Sequence, residues 1–146
     1  MKRLAVASAL ALSLTACMSF PRPRLLGPTD AERREYDSAI ATARRDAKQG
    51  RARLASFLER HPDSTLADDA VVPLARLDVK AGKSELAEKR LREVLRTHPK
   101  EDRADAARLE LAKILVSRGE REAAWKLAQR IQPPLLTEDE RRDAYR

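Results

Sequence analysis

Any catalysis or metal binding by this chain would have to be assembled from a short roster: Cys17, His61, His98 and the adjacent carboxylates Asp68 and Asp69. A zinc site needs three or four Cys, His or carboxylate ligands, closely spaced when the site is structural. The chain has one cysteine, and its two histidines stand 37 residues apart, each followed by proline (Pro62, Pro99). That setting places both histidines at helix ends rather than in a metal or acid–base site. Asp68 and Asp69 precede an apolar helical pattern, where negative charge favours a helix N-terminus without any catalytic role. There is no glycine-rich phosphate loop and no nucleophile motif. The residues therefore point to a non-enzymatic protein with no metal, no cofactor and no small-molecule substrate.

Cys17 belongs to a different chemistry. Residues 1–16 open with Lys2 and Arg3 and continue as an apolar run from Leu4 to Ala16, broken by Ser8, Ser13 and Thr15. Basic residues followed by an apolar run are the layout of a secretory signal. The run falls short of the roughly 20 apolar residues that span a bilayer, so cleavage is expected rather than permanent insertion. It closes as Leu14-Thr15-Ala16-Cys17, which resembles the lipobox of bacterial lipoproteins. The resemblance implies diacylglycerol on the Cys17 thiol, cleavage before Cys17, and two or three acyl chains on the mature terminus. A single acyl chain binds membranes marginally, whereas two hold stably. As the sole cysteine, Cys17 excludes an intramolecular disulfide. Acylation also removes a free thiol from an oxidising compartment. Met18 stands where Asp would favour the inner membrane, so the same resemblance implies anchoring at the outer membrane, facing the periplasm.

Loss of residues 1–16 takes Lys2 and Arg3 and no acidic residue, so a net charge of +7 becomes +5. A basic balance can signal nucleic acid, but export removes that partner. The positive charge is also interspersed with 23 acidic residues, as on a solvated helical surface. Five aromatics and an apolar content dominated by Ala and Leu suit close helix packing and argue against a β-sandwich. From Met18 to Thr29, Pro21, Pro23 and Pro28 favour an extended path. Twelve residues at about 3.1 Å each give a tether of roughly 35–40 Å.

Beyond Thr29 the chain repeats. A shift of 37 residues superposes Leu74-Ala75 on Leu111-Ala112, Gly82 on Gly119, and Ala87 on Ala124. It also carries Leu54, Leu58 and His61-Pro62 onto Leu91, Leu95 and His98-Pro99. Each unit reads as two helices. Leu74, Leu77 and Ala81 keep helical spacing up to Gly82, which accepts the positive φ of a helix end. Leu86, Leu91, Val94 and Leu95 then line one face of the second helix. Ala75 and Ala87 fall where the two helices cross closely. The first unit keeps its second helix from about Ala47 to Arg60, with Gly50 at the small position. It lacks a turn glycine near Arg45, so its first helix, opened by a capping box of Thr29 and Glu32, is expected to run long. Pro73 is expected to kink or shorten the start of the third helix. Thr137 and Glu140 form another capping box, starting a C-terminal capping helix. Trp125, in the last unit, is expected to pack beneath the following segment, against Leu135 or Leu136, with an exposed binding anchor as the alternative.

This pattern resembles the tetratricopeptide repeat (TPR): Leu74-Ala75, Gly82, Ala87 and Pro99, then Leu111-Ala112, Gly119 and Ala124. The TPR unit has 34 residues, and the three extra ones here fall at the connection between units. The resemblance implies an all-α fold, a short TPR-like solenoid of about three helical hairpins. The chain then divides into a signal peptide (1–16), an acylated cysteine and Pro-rich linker (17–29), a repeat domain (30–136) and the start of a capping helix (137–146). It further implies a groove lined by the first helix of each unit. In this chain the groove positions are Asp69, Val72, Arg76, Val79 and Lys80, then Ala106, Leu109, Lys113 and Val116. Arg76, Lys80 and Lys113 would form a basic stripe suited to an extended peptide or partner helix with an acidic group. The chain is similar to two kinds of envelope TPR lipoprotein, those of β-barrel protein assembly and those that activate peptidoglycan synthases. The implied role is a protein–protein adaptor in envelope biogenesis. The alternatives are a structural lipoprotein with no dedicated groove partner, and an accessory part of a peptidoglycan-turnover enzyme.

Overall fold

The computed structural model describes residues 27–97, 99, 103–132 and 136–144. The signal, Cys17, the tether through Leu26, and His98 lie outside the described residues. Helices α1 (Asp30–Arg45), α2 (Ala47–Arg60), α3 (Ala67–Lys80), α4 (Ser84–Thr97), α5 (Arg103–Ser117), α6 (Arg121–Ala128) and α7 (Glu138–Ala144) follow in order. No strand occurs among the described residues. The fold is the all-α short solenoid that the repeats implied.

Connections of one to three residues force α1/α2, α3/α4 and α5/α6 into antiparallel hairpins. Two of these turns are built alike. Gly82 and Gly119 have φ of 74° and 82°. Lys83 N–H donates to the Asp78 carbonyl at 2.8 Å and Glu120 N–H to the Leu115 carbonyl at 2.9 Å. These are the 6→1 bonds of a Schellman motif, which needs a residue free to adopt positive φ. The first hairpin turns on Asp46 alone, whose side chain accepts from Gln49 N–H and caps α2. So tight a corner brings the helices together near their ends. A Cβ at Gly50 would overlap the backbone of Ala43, which is why glycine stands where the later units have Ala87 and Ala124. As expected, α1 is the longest helix described, at 16 residues, and Thr29 and Glu32 form its capping box, with bonds of 2.9 and 3.2 Å.

Each hairpin then packs on the next, α2 against α3 and α4 against α5, while α3 also touches α5 directly. The first helices of the second and third hairpins thus approach one another on the inner side of the stack. Ala39, Leu54 and Phe57 meet Leu66, Ala70, Leu74 and Leu77 in one buried cluster. Val72, Ala75, Ala87, Leu91 and Val94 meet Ala107, Leu111, Ile114 and Leu115 in a second, which also takes in Ala124 and Leu136. Pro73 does not shorten its helix: α3 runs 14 residues, the length of α2 and α4. Pro73 removes the bond to the Asp69 carbonyl, but Ala70, Val72, Leu74 and Ala75 around it are fully buried. Packing on both sides holds the backbone helical through the missing bond.

Candidate functional site

The inner face is where sequence and structure meet most informatively. Val72, Ala106 and Leu109 are buried in the second cluster, so they build the wall between α3 and α5 rather than an open groove. Asp69 is half-buried and accepts from Arg103 of α5. Arg76 donates through Nε to Glu110 at 2.9 Å and through Nη2 to Glu140 of α7 at 3.1 Å. Lys113 reaches Glu110 at 3.2 Å and Asp143 of α7 at 2.9 Å. Two of the three expected stripe cations therefore have partners inside the chain. Lys80 lies exposed.

These contacts draw α7 onto the array. Thr137 and Glu140 make the expected capping box, with Thr137 N–H donating to the Glu140 carboxylate at 3.0 Å, and Leu136 just before it is buried. Glu140 is only 5% exposed. Burial pushes its carboxyl pKa upward, but the bonds from Thr137 and the charges of Arg76 and Arg103 together outweigh burial and hold it below the ordinary glutamate value. The alternating charges zip α3, α5 and α7 together across the inner face.

The ladder keeps a register that no single residue reveals. Asp69–Arg103 and Arg76–Glu110 are each separated by 34 residues, so charges on successive first helices are complementary at one fixed interval. That interval was readable in the sequence. Taken one residue type at a time, the groove shows the cation of Arg76 and not the acid that answers it.

What stays open is the turn end of the inner face. Val79 is 39% exposed and Val116 is 55% exposed. They occupy the same position in successive units, on neighbouring helices, with Lys80 beside Val79. Helices in contact lie about 8–10 Å apart, so this is an apolar pair at a defined pitch with a cation at its edge.

A model of the tetratricopeptide repeat-like domain matches residues 29–140. The chain belongs to that family. The match spans all three hairpins and the start of α7, and TPR-like domains act as protein-interaction modules. No curated protein matches the chain.

Elsewhere the TPR-like array offers little chemistry. His61 closes α2, packs on Phe57 with ring centroids 5.1 Å apart, and lies 3.1 Å from Glu35. It is a packed helix end. No group of three or more metal-ligating side chains occurs among the described residues, nor a helix long and apolar enough to cross a membrane. A depression between α1 and α2, of about 400 Å³, is lined by Glu35, Ser38, Ala52, Arg53, Ser56 and Arg60. Its polar groups bond one another: Arg60 with Glu35, and Arg53 with Ser38 at 3.0 Å. Trp125 corrects the sequence expectation. It is 63% exposed, and Leu136 is buried in the second core cluster rather than laid over it; Leu135 lies outside the described residues.

Proposed function

We propose that this chain is a lipid-anchored adaptor of the bacterial envelope. Lipid on Cys17 holds a TPR-like array at the outer membrane, facing the periplasm, where it docks a protein or peptide partner of envelope biogenesis. The observation that carries the reading is the repeated exposure of Val79 and Val116 beside Lys80, on a domain of a protein-interacting family. A partner segment that buries both valines gains about 25 cal/mol per Å² of apolar surface, and an acidic group on it meets Lys80. An open apolar pair with one cation at its edge supports a site for an extended or helical peptide more than one for a small molecule.

A photo-crosslinking residue at position 79 or 116 in intact cells should capture the same partner, while one at Arg33, on the far side of α1, should not. Val79→Asp should abolish capture at 116. Equal capture at all three positions would remove the site. The anchor is tested separately: Cys17→Ser should release the protein from membranes and block incorporation of a labelled fatty acid, leaving the helical content unchanged. A specific observation also favours the structural alternative, since Arg76 and Lys113 are already paired with Glu110, Glu140 and Asp143. Failure to crosslink at 79 and 116, with the anchor intact, would select it.

A further inference from the structure

The chemistry that fits the inner face is already present in the chain, on α7. Glu140 accepts from Arg76 at 3.1 Å and Asp143 from Lys113 at 2.9 Å. Two carboxylates three residues apart on one helix thus meet cations one repeat period apart on α3 and α5. Leu136, four residues before Glu140, is buried in the second cluster. α7 engages the inner face through a leucine, an acid four residues on and a second acid three after that. Its seat differs from that of a stacked hairpin. α3 and α5 pack on the second helices of the hairpins before them, whereas α7 lies against α5 and pairs with α3.

The hold is a light one. A helix of seven residues is too short to persist without tertiary contacts. Arg76, Lys113 and Asp143 each keep more than a third of the side chain exposed, and ion pairs with that much water around them contribute little. Leu136 and Glu140 are the buried anchors. α7 therefore belongs to the least stable part of the array, the class of segment that opens while the rest stays folded. It also covers only half of the site. It runs toward the turn end, from Glu140, which feels the charge of Arg103 at the start of α5, to Asp143 beside Lys113. Val79 and Val116 lie one turn beyond Arg76 and Lys113, and both stay exposed with α7 in place.

We propose, on the reading of the Val79–Val116 lip as the docking surface, that α7 is a displaceable strap over the cationic half of that site. The partner is a helix with the same spacing of leucine and two acids, continued by apolar residues that reach the valines, and it pushes α7 aside. Competition sets what such a helix must carry. A tethered segment faces its site at an effective concentration on the order of millimolar, so a separate copy of the α7 contacts alone loses to α7 itself. A partner prevails by adding contacts that α7 lacks, and the two exposed valines are the contacts on offer. Its observed affinity is the intrinsic one reduced by the fraction of molecules in which α7 is released.

The probe for the test is a fluorescent peptide of residues 135–144 continued as Ala-Ala-Leu-Leu-Ala-Ala-Leu, added to the purified chain and read by anisotropy. It should bind, accelerate amide exchange in residues 138–144 and slow it in residues 76–80 and 113–117. The peptide without the extension should bind at least about tenfold more weakly. Glu140→Lys with Asp143→Lys in the chain, which expels α7 from its cations, should tighten the extended probe by about tenfold or more. The same two changes in the probe should abolish its binding. A probe that binds while exchange in α7 is unchanged would overturn the strap, and the lip would stand if Val79→Asp still weakened that binding. A probe that displaces α7 but ignores Val79→Asp would uphold the strap and remove the lip. No binding of the extended probe, even to the chain with both lysines, would overturn the proposal.

Discussion

The two junctions between hairpins share one register and differ in chemistry. At the first, Leu54 and Phe57 of α2 face Ala70, Leu74 and Leu77 of α3. At the second, Leu91 and Val94 of α4 face Ala107, Leu111 and Ile114 of α5. Phe57 becomes Val94 one repeat on, so the first junction depends on one large ring and the second on many small contacts. The polar complement differs more sharply. Asp78, 1% exposed, lies between Arg51 and Arg90. Its counterpart one repeat later is Leu115, equally buried. In the second junction the buried charge moves to Asp105, which accepts from Arg108 and from Gln132 N–H at 3.0 Å and so ties the start of α5 to the segment after α6. The period thus determines where two hairpins touch and leaves open whether the contact is apolar or ionic.

The largest expected effect tests the reliance on one ring. Phe57→Ala should cost about 3–5 kcal/mol, while Val94→Ala, which removes less buried surface, should cost about 1.5–3 kcal/mol. Urea unfolding of the two variants measures both, and equal losses would erase the distinction between the junctions. Next comes the interchange of chemistries. Asp78→Ala should lose about 1–3 kcal/mol, below the cost of stranding a fully buried charge, because Arg51 and Arg90 retain enough exposure to turn to water. Asp78→Leu, which copies Leu115, should recover part of that loss. If it falls below Asp78→Ala instead, the two solutions are not interchangeable at this position.

The corner and the turn make a smaller contrast. Gly50→Ala should cost about 1–3 kcal/mol through overlap with Ala43. Gly82→Ala, with open space around it and φ of 74°, should cost about 1–2 kcal/mol through backbone conformation alone. The smallest effect is confined to α7. Because Glu140 titrates below a free glutamate, its contribution is fully present above the ordinary glutamate range and is lost as pH falls below that range and through the depressed native value. Amide exchange in residues 138–144 should accelerate there, ahead of exchange in α3 and α5. Glu140→Gln should flatten that dependence.

The array was legible in the sequence wherever one residue type has one physical use. Gly82 and Gly119 marked positive φ, Thr29 and Glu32 marked a helix start, and Leu74-Ala75 with Leu111-Ala112 marked buried faces one period apart. The pattern failed where the outcome depends on a neighbour far along the chain. Arg76 reads as a free groove cation until Glu110 and Glu140 are placed beside it. Val72 and Leu109 read as groove floor until α3 and α5 close over them. Pro73 reads as shortening its helix until the packing around it is seen. Trp125 reads as covered from within, as a large apolar residue near a chain turn usually is, until its exposure and the burial of Leu136 in the second cluster are set side by side.

The single-residue corner at Asp46 bears on where this protein can accept new sequence. Around Gly82 and Gly119 the chain already spends three residues reversing direction in the open, and a longer loop there costs only a slowly growing closure entropy. At Asp46 the carbonyl of Thr42, the side-chain cap of Gln49 and the contact of Ala43 with Gly50 all depend on one residue between helices. An insertion would have to unmake all three. Tags, reporter domains and natural length variation therefore belong at the later turns, and the first hairpin should hold its length while the rest of the array is free to change.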